Sequence, residues 1–79
     1  MRPAALFVRT AARFASQIRA RNLSRDTSPE VDAKSIIGIM QAAVSQGDQL
    51  LVRAWGADAA EAIAALTALV DGNFEENPS

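Results

Sequence analysis

The sequence of 79 residues contains no cysteine and no histidine, and these two absences exclude several kinds of chemistry. Without cysteine the chain can form neither a disulfide framework nor a reactive thiolate. Without histidine it offers neither imidazole catalysis nor histidine ligands for a metal ion. We therefore expect no metal site and no cofactor, and the lack of cysteine is consistent with a reducing cytosol.

Long apolar runs are also missing, because no stretch approaches the roughly 20 residues that a membrane-spanning helix needs. The sequence likewise lacks an internal repeat, a glycine-rich phosphate loop and a nucleophile elbow. Apolar residues make up 49% of the chain, which is enough for one core. The length predicts a single domain over residues 1–72, followed by a flexible tail over residues 73–79.

Acidic residues are absent from the first 25 positions, which hold six arginines. From Asp26 onward there are two basic and nine acidic residues, and the whole chain has a net charge of −1. An arginine-rich, acid-free opening over residues 1–24 is typical of a mitochondrial transit peptide, here attached to a small helical domain. It also fits a basic face for nucleic acid or for acidic partners, so composition alone leaves these alternatives open.

Hydrophobic periodicity predicts the elements of the first two thirds of the chain. Pro3 suits the first turn of a helix, and apolar residues at helical spacing extend this helix to about Ala15. Alternating apolar and polar residues predict a strand over residues 17–23 and a short strand over residues 31–33. The same alternation predicts another full strand over residues 49–55.

Capping residues predict two further helices. Ser35 is a plausible N-cap of a short helix that ends at Gly47. Asp58 and Glu61 form a capping-box pattern at the start of a last helix, which ends at Gly72. The resulting order of elements predicts an α+β domain, with an antiparallel sheet and helices on one of its faces.

Three segments resemble the HPr family, the histidine phosphocarriers of the bacterial sugar phosphotransferase system. Residues 2–8 (RPAALFV) are similar to the active-site segment of the family, and residues 34–40 (KSIIGIM) to its regulatory serine segment. Residues 47–58 resemble its last strand and the turn into the final helix. The resemblance covers nearly the whole chain and implies an HPr-like open-faced sandwich, with three helices on one face of the sheet.

In this family a histidine accepts a phosphoryl group from enzyme I and donates it to sugar-specific EIIA proteins. The resemblance implies that Arg2 and Pro3 stabilise the phosphate at the start of the first helix, where free N–H groups and the helix dipole favour anions. Because the 79 residues include no histidine, we assign no catalytic residue and expect no histidine phosphotransfer by this chain.

The resemblance further predicts that the chain is incomplete at its N-terminus. The first strand of the family is missing, and its histidine belongs two positions before Arg2. In-frame upstream codons for a short apolar strand and this histidine are therefore expected. The missing strand would pair with residues 49–55, so we expect self-association through the exposed sheet edge and through the uncovered face at Leu51 and Trp55.

Ser35 matches a serine that a dedicated HPr kinase/phosphorylase phosphorylates in many members of the family. A phosphate there would impede docking of enzyme I and create a handle for a catabolite regulator. An ordinary N-cap serine is the alternative interpretation, and both can hold.

Partner contacts are predicted for apolar and basic residues around the first two helices: Ile36, Ile37, Met40, Arg9 and Arg13. Helical spacing also allows Ile36 and Met40 to share a buried face with Ile39. The two arginines are expected on the outer face of the first helix, where they would attract acidic partners or form an ordinary solvated face.

A second function stays open alongside the carrier function. Some HPr relatives act only through a phosphoserine that binds a transcriptional regulator, and a chain without histidine fits that class. In either case the resemblance implies a cytoplasmic protein with no membrane insertion and no nucleic-acid partner.

Overall fold

The computed structural model describes residues 3–25, 28–44 and 47–72, and the helices and strands in these ranges follow the predicted order. They are α1 (Pro3–Ala11), β1 (Gln17–Asn22), β2 (Val31–Asp32), α2 (Ile36–Gln41), β3 (Leu50–Trp55) and α3 (Ala59–Asp71). Arg2 and the predicted tail over residues 73–79 lie outside the described residues. Within the described ranges, no helix is long and apolar enough to cross a membrane.

The three strands form one antiparallel sheet in the order β2-β1-β3. In the central strand, Arg19 lies opposite Asp32 on one side and opposite Arg53 on the other. Ile18 and Ala20, which alternate with the polar residues of β1, are buried. Since the helices cover that face alone, the predicted α+β open-faced sandwich is confirmed.

The hydrophobic core lies between the sheet and the helices. Phe7 of α1, Ile18 of β1 and Leu66 of α3 belong to one buried cluster, and each is fully inaccessible to solvent. Burying a side chain of this size contributes about 1.5–3 kcal/mol. Because these residues come from three different elements, the core fixes α1 against α3 and the sheet, and thereby places the first turn of α1.

Helix α1 is shorter than predicted, since it ends at Ala11 and not near Ala15. The N–H groups of Arg13 and Phe14 donate to the carbonyls of Thr10 and Ala11, both at 3.2 Å. Such bonds between residues three apart tighten the chain into a turn. Ala15, predicted to continue the apolar stripe, is therefore exposed beyond the helix.

Asp58 does not cap its own helix as predicted. Its side chain makes no capping bond to the first turn of α3, so the proposed capping box with Glu61 is absent. The carboxylate instead accepts hydrogen bonds from the N–H groups of Ala15 and Ser16, both at 2.9 Å, and from the Ser16 hydroxyl. Three bonds to one carboxylate thus join the turn after α1 to the start of α3.

The Asp58 contacts predict a loss of stability in acid. The Ser16 hydroxyl, followed by the Ala15 N–H group, holds the pKa of Asp58 below its ordinary value. A carboxyl whose pKa is lower in the folded state contributes stability above its unfolded pKa, and this stability disappears as the pH falls through the folded pKa. Asp58→Asn should therefore lower Tm at neutral pH and make the decline of Tm below about pH 4 less steep.

Thermal unfolding followed by circular dichroism, from about pH 2 to pH 7, measures both effects. Glu61→Gln removes a carboxylate from the same end of α3 and serves as the control, for which the steep decline should persist. A wild-type pH profile in the Asp58→Asn variant would contradict the proposed contribution of this carboxylate.

Helix α2 also ends early, at Gln41, whereas the sequence pattern places its end at Gly47. The fully buried amide of Asn22 donates to the carbonyl of Ala42 at 3.0 Å. At the next residue, Ala43, the chain enters the left-handed region with φ of 55° and leaves the helix. A buried side chain from the end of β1 is therefore bonded to the residue at which α2 stops.

The opposite face of the sheet is open, as the alternation in β3 predicts. Leu51 and Trp55 are 43% and 48% exposed there. Between them, the Arg53 guanidinium lies 5.1 Å from the centre of the Trp55 ring and pairs with Glu30, whose pKa this arginine lowers. Among the described strands, β3 pairs only with β1. Self-association through this edge and face stays a prediction.

Candidate functional site

The first turn of α1 and the helix α2 lie side by side and form an apolar surface, which we call the α1–α2 surface. A cavity of about 230 Å³ separates the two helices and is lined by small and large apolar residues: Pro3, Ala4, Ala5, Ile36, Met40 and Val44. Pro3 is the first residue of α1, as predicted, where its missing N–H group leaves no helical bond unmade. Ala4 and Ala5 have small side chains, which leave space for the cavity on the α1 side.

Three large apolar side chains of α2 are accessible to solvent on this surface. Ile36, Ile37 and Met40 are 43%, 67% and 63% exposed, whereas Ile39 in the same short helix is fully buried. The alternative in which Ile36 and Met40 share the buried face of Ile39 is therefore wrong. Adjacent exposed apolar side chains on a small domain are typical of an interaction surface.

Ser35 lies at the edge of the α1–α2 surface and caps α2, as predicted. Its backbone is extended, with φ of −100° and ψ of 117°, and its hydroxyl oxygen accepts a hydrogen bond from the Gly38 N–H group at 3.1 Å. Gly38 also lies close to β2, since a Cβ atom at this position would be 3.2 Å from Cβ of Val31. The serine is half-buried, with Ile36 and Ile37 immediately following.

Lys34 precedes the serine and was not singled out by the sequence pattern. Its ammonium group donates a hydrogen bond to the backbone carbonyl of Phe14, at 2.6 Å. The bond joins the turn after α1 to the residue before the N-cap of α2, across 20 positions of sequence. No local periodicity could have revealed this pairing, because it depends on the packing of two segments that are distant in the chain.

The two arginines predicted on the outer face of α1 occupy different environments. Arg9 is exposed in the last turn of the helix. Arg13 lies in the turn beyond Ala11, with its guanidinium 5.9 Å from the centre of the Phe14 ring. The prediction that both lie on the outer face of α1 is therefore wrong for Arg13, because the helix ends before it. Arg2 lies outside the described residues.

Comparisons with known proteins agree with this geometry. A family model described as the PTS HPr component phosphorylation site matches residues 1–72. Over 75 residues the chain is 44% identical to phosphocarrier protein HPr of Treponema pallidum (strain Nichols), an alignment that covers 95% of this chain and 81% of that protein. Over 69 residues it is 46% identical to HPr-like protein Crh of Bacillus subtilis (strain 168), covering 87% and 76%.

A solved structure of similar shape is that of an HPr dimer from Thermoanaerobacter tengcongensis. It matches with a TM-score of 0.79 at 47% sequence identity, and the match covers 96% of this chain and 83% of that one. The relatives thus include proteins named as phosphocarriers and a protein named as HPr-like.

Proposed function

The chain belongs to the HPr family, and we propose that its α1–α2 surface docks onto enzyme I and onto EIIA-type proteins of the bacterial sugar phosphotransferase system. One observation carries the proposal: Ile36, Ile37 and Met40 are exposed together beside the N-cap serine. Covering such side chains with a partner is favourable by about 25 cal/mol per Å² of apolar area. The resemblance of residues 34–40 to the regulatory segment of the family supports the same surface.

Two arginines near the end of α1 assist this docking in the cytoplasm. Arg9, exposed at the end of α1, and Arg13, in the turn beyond it, attract acidic partner surfaces and raise the association rate. Pro3 is the first residue of α1, where unpaired N–H groups favour a phosphoryl group, and the family resemblance implies the same role for Arg2. Their proposed part is to stabilise phosphate during the relay between enzyme I and the EIIA-type proteins.

Ser35 is proposed as the switch that controls this docking. Phosphorylation by an HPr kinase/phosphorylase would place a charge of about −2 beside Ile36 and Ile37. An apolar partner that covers this region would have to remove water from the phosphate, which is strongly unfavourable. The same phosphate offers a catabolite regulator an anionic group that it can bind through arginine.

Incubation with HPr kinase/phosphorylase and ATP tests the switch. We expect the addition of one phosphoryl group, located at Ser35 by mass spectrometry of peptides. Ser35→Ala should abolish this addition and lower the free energy of unfolding by about 1 kcal/mol, because it removes the N-cap bond to Gly38. Ser24→Ala, at an exposed serine in the turn after β1, is the control and should be phosphorylated normally. Modification at any residue other than Ser35 would contradict the assignment.

A regulatory HPr-like protein is the second candidate, favoured by the similarity to HPr-like protein Crh. In that function the phosphoserine binds a transcriptional regulator and no phosphoryl group is relayed. Incubation of the translated open reading frame, including any in-frame codons before Met1, with phosphoenolpyruvate and enzyme I separates the two candidates. Mass gain only with the kinase and ATP supports the regulatory function, and mass gain with enzyme I supports the carrier function.

A further inference from the structure

We propose that Lys34 is a positioning residue, which holds Ser35 in the orientation that the kinase phosphorylates. The proposal rests on the phosphorylation of Ser35 proposed above. It starts from the 2.6 Å hydrogen bond between the Lys34 ammonium and the Phe14 carbonyl, at a half-buried place between the end of α1 and the start of α2.

The segment that leads from β2 to Ser35 is also held to the sheet, by hydrogen bonds that its own N–H groups donate. The N–H groups of Lys34 and Ser35 donate to the side chain and the carbonyl of Asp32, at 2.9 Å and 3.0 Å. The N–H group of buried Ala33 donates to the carbonyl of Ile18 at 3.0 Å. These bonds fix the segment to the sheet, and the Lys34 side chain adds a bond to the α1 side.

The Phe14 carbonyl is a suitable acceptor for a lysine. It lies in the turn just beyond α1, where carbonyl groups have lost their helical partners and where the helix dipole favours a cation. Ser35 follows Lys34 directly, and its hydroxyl keeps the 3.1 Å bond to the Gly38 N–H group. A lysine anchored at Phe14 therefore restrains the backbone from which the serine hydroxyl is presented.

The competing explanation for an effect of Lys34 on phosphorylation is a direct contact between Lys34 and the kinase. Steady-state kinetics with the full chain separates this explanation from positioning of Ser35. Loss of positioning should lower kcat for Ser35 phosphorylation with little change in KM, because the docking side chains remain. Loss of a binding contact should instead raise KM. For Lys34→Met we expect kcat to fall about threefold to tenfold, the range that corresponds to the net strength of one ordinary hydrogen bond. Lys34→Arg, which keeps a cationic donor, should restore most of kcat.

The free protein provides a second readout that needs no kinase. Hydrogen exchange at the Gly38 amide should be faster in Lys34→Met than in the wild type, because the cap serine is less restrained. Arg21→Met, which removes one exposed cation from the open face of the sheet, is the control for net charge and should alter neither kcat nor Gly38 exchange.

Unchanged Gly38 exchange in Lys34→Met, or an effect confined to KM, would overturn the positioning role. If the wild-type chain is not phosphorylated at all, the proposed function fails, while the Gly38 exchange rates still decide whether Lys34 restrains the cap.

Discussion

Replacing Gly56 with alanine is expected to destabilise the domain by about 3 kcal/mol, the sum of a strained backbone and an overpacked contact. Gly56 has φ of +137°, a conformation that residues with a side chain rarely adopt. A Cβ atom there would also lie 2.5 Å from Oγ and 2.9 Å from Cα of Ser16. The backbone atom cannot move aside without displacing the start of β1.

The Gly56→Ala substitution should also disturb the hydrogen bonds that hold the turn after α1. Ser16 donates its hydroxyl and its N–H group to Asp58, so a methyl group pressed against Ser16 disturbs the bonds that join the turn after α1 to α3. A loss of this size lowers Tm by roughly 12–24 °C in a domain of 60–100 residues. Thermal or urea unfolding followed by circular dichroism measures it.

Gly47→Ala is a matched control for the Gly56 variant. Gly47 also has a positive φ, +86°, but nothing lies within 4 Å of a Cβ atom at that position. It should therefore incur only the backbone strain, about 1 kcal/mol. Equal losses of stability in the two variants would show that the close approach of Ser16 to Gly56 adds nothing to the cost of the Gly56→Ala substitution.

Replacing Ile37 with glutamate is expected to weaken binding to enzyme I at least about 30-fold, the loss typical of a central interface side chain. Ile37 is 67% exposed, more than Ile36 or Met40, so its removal takes little from the core. Glutamate is a good helix former and suits the first turn of α2, so the fold should be retained. In the complex, however, the carboxylate would be buried among apolar groups without a partner.

Isothermal titration calorimetry with enzyme I measures the affinity, and circular dichroism checks the fold. Leu51→Glu provides the comparison, because Leu51 is an exposed leucine on the open face of the sheet, away from α1 and α2. The Leu51→Glu variant should bind enzyme I with the affinity of the wild type. Comparable losses in both variants would argue for a general charge effect and against a specific surface.

The order of helices and strands could be predicted because it depends on local patterns. Apolar alternation in β1 and β3 and helical spacing in α3 each follow from burying one face of an element. Ser35 was correctly predicted as an N-cap for the same reason, since the serine and the Gly38 N–H group that it binds are three residues apart.

The ends of α1 and α2 were predicted too late, because contacts between distant segments determine them. Asn22, at the end of β1, donates a hydrogen bond to the carbonyl of Ala42. No residue near Asn22 in the sequence indicates this bond. Asp58 was taken for a cap of α3 because glutamate follows three residues later, yet its partner Ser16 is 42 positions away. A capping pattern cannot distinguish a helix cap from a carboxylate used across the fold.

Only part of the candidate site could be predicted from the sequence. Exposure of Ile36 and Met40 and burial of Ile39 could not be separated by spacing in a helix as short as α2. Lys34 was overlooked, because its acceptor is a backbone carbonyl and carries no signature in the sequence. Arg13 was placed on a helix that ends before it.

Docking of the α1–α2 surface onto enzyme I is tested most directly by amide NMR of the isotope-labelled chain titrated with enzyme I. The largest changes in chemical shift should occur at Ala4 and Ala5 of α1 and at Ile36, Ile37 and Met40 of α2. Changes centred on Leu51 and Trp55 of the open sheet face, with the α1–α2 residues unaffected, would contradict it.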